Sequence, residues 1–301
     1  MTKAERFEGC IIGGAIGDVF GSGYEHQIQD NDTTFYLHGK PEVNEPSWQI
    51  TDDTQLTLAR IEAIIEDEKL KPETLTKIFI KYFKQKRLVG IGACTLKSLR
   101  ELQLGGHWSQ TGRRGEYAAG NGAAMRIAPI AFKEGITNSE IRDFCIITHN
   151  NDEAYIGAKC VIISIREILE GNWDGKTNLL ELIISQIPDT RVRDRLIEIK
   201  EIESLEKIGQ FGNDGYVVNS VPLAIAAANK VRKIGIEEMH QQLIEIGGDT
   251  DTNCSIAGQI AGTLIGQKEI PDKLLNKLKT LEEYDWIEKS IKNFVKSENW
   301  K

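Results

Sequence analysis

Two short segments carry the densest set of reactive side chains, Thr51-Asp52-Asp53-Thr54 and Asp249-Thr250-Asp251-Thr252, the second preceded by Gly247-Gly248. Taken singly, each reads as an ordinary helix start. Asp and Thr satisfy the free N–H groups of a first turn, and acid there complements the helix dipole. Taken together they say more. Two helix starts of such similar chemistry, about 200 residues apart, could gather four carboxylates and several hydroxyls at one place. Such a set is all oxygen, which suits magnesium, manganese or calcium rather than zinc. Without a cation, four clustered carboxylates repel one another. Either the segments lie far apart in space, or metal holds them together. The glycines at 247 and 248 allow the close backbone approach that a ligand loop needs.

Two further segments could serve a bound molecule. Gly120-Asn121-Gly122-Ala123-Ala124-Met125-Arg126 places small residues before a helix start, where backbone N–H groups can face an anion such as a diphosphate. A plain turn accounts for it equally well. The run from Gly13 to Glu25 is rich in glycine, but no strand precedes it and no βαβ unit surrounds it, so it does not read as a dinucleotide fingerprint. A close-packed helix ending in a glycine-rich loop fits better, with Glu25 in that loop.

The elements that must position these residues are helices. Apolar residues recur at spacings of three and four from Gln55 onward, through 75–83, 141–147, 154–169, 179–187, 196–208, 217–231, 239–246, 256–265 and 274–281. Sustained alternation of period two is absent. The expectation is an all-α fold of about a dozen helices in one compact domain over residues 1–301, with no repeat and no linker. The stretch from Asn253 to Ile265 places Gly258 and Gly262 inside a helix, where each glycine costs about 1 kcal/mol. Tight helix–helix packing explains them, and it puts the Asp249/Asp251 loop at the mouth of a central helix.

Composition narrows the function classes. The 301 residues carry a formal net charge of −8, which disfavours a phosphate-backbone binder and leaves room for a local anion pocket. The lysines of the last helix, Lys289, Lys292 and Lys296, read as a solvated face. No apolar run approaches the ~20 residues of a membrane span, and the N-terminus makes a poor signal peptide. Cys10, Cys94, Cys145, Cys160 and Cys254 are odd in number and widely spaced among apolar neighbours, as expected of buried reduced thiols. A cytoplasmic protein is expected. Gly105-Gly106-His107-Trp108 reads as core or loop, with a substrate entrance as the alternative.

In order along the chain, Gly17-Asp18 with Gly21 and Glu25, Thr51-Asp52-Asp53-Thr54, Gly120 to Arg126, Thr148-His149 and Gly247 to Thr252 resemble the ADP-ribosylglycohydrolase family, which includes the dinitrogenase reductase-activating glycohydrolases. Any one of these motifs is weak, but five in order are specific. Gly215-Tyr216-Val217-Val218 with Ser220-Val221-Pro222 is similar to this family too. The resemblance implies an all-α fold with two divalent cations, magnesium or manganese, on Thr51, Asp52, Asp53, Asp249, Asp251 and Thr252. It implies hydrolysis of the bond between the anomeric carbon of ADP-ribose and an acceptor, with Gly120, Asn121, Gly122 and His149 holding the ADP-ribose. Glu25 or Asp53 would orient water or move a proton. The acceptor would be a modified protein, on arginine or serine, or a small ADP-ribose conjugate. One departure stands out: Ala118-Ala119 precede Gly-Asn-Gly where many relatives carry Ser-Tyr or similar residues, which bears on the distal wall of the substrate pocket. A competing reading is a binding or immunity protein that neutralises an ADP-ribosylating toxin.

Overall fold

The computed structural model describes residues 1–24 and 47–300. Over these residues the chain is helical, with two isolated β-bridges and no strand, as the periodicity implies. Eleven of the described helices have nine or more residues: α1 Lys3–Ser22, α2 Asp52–Glu66, α3 Pro72–Lys84, α4 Ala93–Gln103, α5 Asn138–Ile146, α6 Asp152–Leu169, α7 Arg191–Ile199, α8 Val217–Ala228, α9 Ile236–Ile246, α10 Thr250–Ile265 and α11 Tyr284–Ser297.

The centre of the fold is the pair α1 and α10. All 16 residues of α10 are buried, with α6, α8 and α9 packed around it. Gly9, Gly13, Gly17 and Gly21 recur every fourth residue, so they form one line along α1. A Cβ at Gly13 would lie 2.3 Å from the Gly258 carbonyl oxygen, and one at Gly17 would lie 2.1 Å from that of Cys254. Gly258 and Gly262 answer from α10, where a Cβ would lie 2.2 and 2.0 Å from the carbonyl oxygens of Gly13 and Gly9. Backbone therefore packs on backbone, and the helix-propensity cost of these glycines is offset by contact that no larger residue permits. This line fixes the register of the two helices. It brings Asp18 and Gly21 beside the first turn of α10, where the Thr250 hydroxyl donates to the Gly21 carbonyl at 2.8 Å. Aromatic packing closes the far end, with Phe7 stacked on Phe294 of α11 at 4.1 Å and edge-on to Phe132 at 5.0 Å.

Several boundaries differ from those read off the sequence. Apolar periodicity begins the two key helices at Gln55 and Asn253, whereas they begin at Asp52 and Thr250. Asp52, Asp53 and Asp251 therefore lie inside the first turns, where their charge favours the free N–H groups and apolar spacing cannot register them. The stretch 196–208 is two helices: α7 ends at Ile199, and the Ser204 hydroxyl caps a separate turn Leu205–Gly209 by accepting from Lys207 N at 3.2 Å. Trp108 lies in a short turn and donates its indole N–H to Glu73 at 2.8 Å, which matches the structural reading of that segment. Glu25 lies outside the described residues.

Candidate active site

Asp18, near the end of α1, organises the start of α2. Its Oδ2 accepts from Thr51 N at 2.9 Å, from Thr54 N at 3.1 Å and from the Thr54 hydroxyl. Its Oδ1 accepts the Thr51 hydroxyl at 2.7 Å. The first turn of α2 is thus capped twice. Thr51 accepts from Asp53 N at 3.3 Å within the helix, and Asp18 takes Thr51 and Thr54 from a neighbouring helix. The start of α10 is then tied to α2, because the Thr252 hydroxyl donates to Asp53 Oδ2 at 3.1 Å. The two acidic segments do meet in space.

Asp249 occupies the N-cap position of α10 but makes no capping bond with its side chain. Its Oδ2 instead accepts from the Asn121 side-chain amide at 2.6 Å, across 128 residues of sequence. Helix capping therefore explains Thr51 and fails for Asp249. Gly247 and Gly248 both hold positive φ, 77° and 81°, and a Cβ at Gly248 would meet the Asn213 carbonyl oxygen at 2.4 Å. These two positions require glycine, as the sequence indicated. Asp251 Oδ1 accepts from Thr252 N at 2.7 Å.

Opposite the acids lies the Gly120-Asn121-Gly122 loop. It is held by two backbone bonds to the segment before α8, Asn121 N to the Gly215 carbonyl at 3.0 Å and Val217 N to the Ala119 carbonyl at 2.9 Å. His149 packs beneath it. A Cβ at Gly122 would stand 2.8 Å from His149 Cε1, and one at Gly120 would stand 3.1 Å from Nε2. Asp52, Asp53, Gly120, Asn121, Gly122, His149, Asp249, Asp251 and Thr252 line one cleft of about 550 Å³. Of the remaining proposed residues, Thr51 is buried and absent from the lining.

Electrostatics sets this cleft apart. Burial, then the charge of Asp18, pushes the Asp52 carboxyl up to about 7. Asp53 is raised well above its ordinary value by burial and by its neighbours Asp18, Asp52 and Asp249, and Asp18 itself is raised to about 6 by burial against its four hydrogen-bond donors. Asp53 Oδ1 is buried and has no hydrogen-bond partner among the described residues. A bare carboxylate oxygen among crowded acids is costly unless something positive meets it. The donor set is entirely oxygen, so a hard divalent cation fits the chemistry of the residues present. Among the described residues no three carboxylate, imidazole or thiol side chains already converge as a ligand cage.

Sequence reasoning missed several parts of the cleft. Asp18 stood out only as a member of a motif; its role needs the contact between α1 and α2. Asp214, Gly215, Gly90 and Thr95 also line the cleft. The expectation of five buried thiols is corrected at one position: Cys10, Cys145, Cys160 and Cys254 are buried, but Cys94 is half-buried and lines the cleft. It stands in the first turn of α4, one residue before Thr95, where no apolar stripe covers it.

The profile of the family described as ADP-ribosylglycohydrolase matches residues 1–301. The ADP-ribosylhydrolase ARH3 of Gallus gallus is 26% identical over 326 residues, covering 88% of this chain and 87% of that protein. The ADP-ribosylarginine hydrolase Tri1 of Pseudomonas putida (strain GB-1) is 24% identical over 294 residues, covering 91% of this chain and 74% of that protein. A solved chain of an ADP-ribosylglycohydrolase-related protein complex superposes with a TM-score of 0.66 over 98% of this chain and 99% of its own length, at 23% identity, which shows a shared fold.

Proposed function

The chain belongs to the ADP-ribosylglycohydrolase family, a family of hydrolases of ADP-ribose linkages, and on that premise we propose that its cleft releases ADP-ribose from a modified protein side chain, arginine or serine, with two divalent cations, magnesium or manganese. The observation that carries the metal requirement is the buried, unpartnered Asp53 Oδ1 among crowded carboxylates. Thr51, Asp52, Asp53, Asp249, Asp251 and Thr252 are the residues that would hold the cations. Bound there, the cations would neutralise the cluster and polarise water and ribose oxygens.

The chain's own residues divide the remaining work. The Gly120-Asn121-Gly122 loop and His149 form the wall that takes the ADP-ribose moiety, with glycine needed where the ring of His149 leaves no room for a Cβ. Asp53 lines the cleft, so its carboxylate can orient the attacking water and favour the positive charge that develops at the anomeric carbon. Glu25 is the second candidate for that role. A small ADP-ribose conjugate is the alternative substrate, and we place the activity in the cytoplasm.

The test is release of ADP-ribose from arginine-modified and serine-modified proteins with magnesium or manganese, and again with chelator. Release from one acceptor, abolished by chelator, is expected. ADP-ribose that raises the melting temperature while neither acceptor is cleaved would overturn the hydrolytic reading in favour of a binding protein.

A further inference from the structure

Arg126, at the end of the Gly-Asn-Gly segment, is fully buried, and among the described residues no carboxylate forms an ion pair with it, although its charge is felt by Asp52. It donates instead to the Gly122 carbonyl and to the Thr148 hydroxyl oxygen. That hydroxyl also lies 2.7 Å from His149 Nδ1. A guanidinium can only donate, so Thr148 Oγ1 must accept from Arg126. A hydroxyl has a single hydrogen, and Thr148 is fully buried, so that hydrogen needs an acceptor inside the protein. His149 Nδ1 is the acceptor at hand. If Nδ1 carried a proton, the oxygen would accept from both Arg126 and His149, and its own buried hydrogen would be left without an acceptor.

We propose that Arg126 is a positioning residue: acting through Thr148, it fixes His149 as the Nε2–H tautomer and so turns the ring into a hydrogen-bond donor aimed into the cleft. Burial and the neighbouring Arg126 charge hold the imidazole neutral, consistent with a single ring proton. Gly120 and Gly122 pack against the ring, at a distance that excludes a Cβ on Gly122 beside Cε1, and so limit its movement. No described residue accepts from Nε2, and His149 lines the cleft, so the donor is left for a substrate oxygen. The same guanidinium orients the Gly122 carbonyl, so one buried cation sets both the loop and the ring beneath it. The inference rests on the ADP-ribose reading only for the identity of that oxygen, an anionic oxygen of the nucleotide.

Long-range ¹⁵N–¹H spectra of the full chain labelled in histidine read the tautomer directly, with the signal assigned by loss in His149→Gln. The expected result is a neutral ring protonated at Nε2. A ring protonated at Nδ1, or a charged ring at pH 7, would overturn the proposal whether or not ADP-ribose binds. Thr148→Val removes the hydroxyl at nearly constant volume. It is expected to mix the tautomers and to weaken ADP-ribose binding by about tenfold or more in calorimetry, as for loss of one hydrogen bond to a charged group. Thr148→Ser is expected to restore both. If Thr148→Val folds with the tautomer unchanged, or Thr148→Ser rescues neither reading, the relay is refuted. If ADP-ribose fails to bind the wild-type chain while Nε2 is protonated, the functional reading fails and the relay stands.

Discussion

Asp18→Asn separates the structural role of the acidic cluster from its proposed metal role. The Asp18 carboxyl is raised from 3.8 to about 6, so keeping it ionised at pH 7.5 costs about 3 kcal/mol relative to solvent. Asparagine removes that cost. It can keep an oxygen where Oδ2 accepts from Thr51 N, Thr54 N and the Thr54 hydroxyl, with its amide facing Thr51 Oγ1. The opposite orientation would set the amide against two backbone N–H groups. The rise to about 6 already contains the charge assistance of these bonds, so in chelator the variant should be at least as stable in urea as wild type, by up to about 3 kcal/mol. Metal binding should behave differently. In the wild type, Thr51 gives its proton to Asp18 and keeps a lone pair free for a cation. In the variant, Thr51 must accept from the amide and turn its proton elsewhere. Manganese affinity, followed by calorimetry, should fall about 10- to 100-fold. A stability loss in chelator, or a manganese affinity within about threefold of wild type, would refute this reasoning.

Three other outcomes follow from the same geometry. Gly17→Ala places a methyl 2.1 Å from the Cys254 carbonyl oxygen, and despite the better helix propensity of alanine it should cost about 3 kcal/mol, seen as a lower urea midpoint; an unchanged midpoint would mean that α1 and α10 are not in backbone contact. In chelator, the folded chain holds a proton on Asp52 up to about 7, and the Asp53 carboxyl is likewise raised well above its ordinary value, whereas the unfolded chain holds protons on both only near 3.8, so stability rises as pH falls from 8 to 6.5 and is lost as pH rises through 7. Asp52 alone contributes about 1 kcal/mol over that window, and saturating manganese, by keeping the carboxylates ionised, should abolish the trend; urea unfolding at both pH values, with and without metal, decides it. The window ends near 6.5 because buried His149 and His240, lowered to about 3 and about 4, lose stability with the opposite sign below it. Finally, Cys94 should be the one cysteine of the described chain alkylated under native conditions, slowly because burial raises its thiol, and ADP-ribose should protect it; labelling of Cys254 instead would contradict the packing.

The helical class was readable because apolar spacing reports burial on one face, and nearly every helix here has such a face. The glycines at 258 and 262 announced a close contact, but not its partner. Only the fold reveals that Gly9, Gly13, Gly17 and Gly21 answer them along α1. The paired Asp-Thr segments were readable as helix starts with unusual acid content, and their meeting in space required the α1–α10 register. Asp18 and the bond from Asn121 to Asp249 could not be read, since each joins residues at least 33 positions apart through side-chain hydrogen bonds. Arg126 was visible only as the end of a small-residue motif. Its reach to Thr148 and Gly122 depends on burial that a sequence pattern does not express.

The central claim is that the two joined helix starts form a metal site on which ADP-ribose release depends. The most direct measurement titrates manganese into the metal-free enzyme and follows bound metal by electron paramagnetic resonance and ADP-ribose release in the same samples, with Asp53→Asn and Asp251→Asn alongside. Turnover should rise in step with bound metal, with both variants folded, weakly binding and inactive. Full turnover in chelator, or wild-type metal binding in both variants, would contradict it.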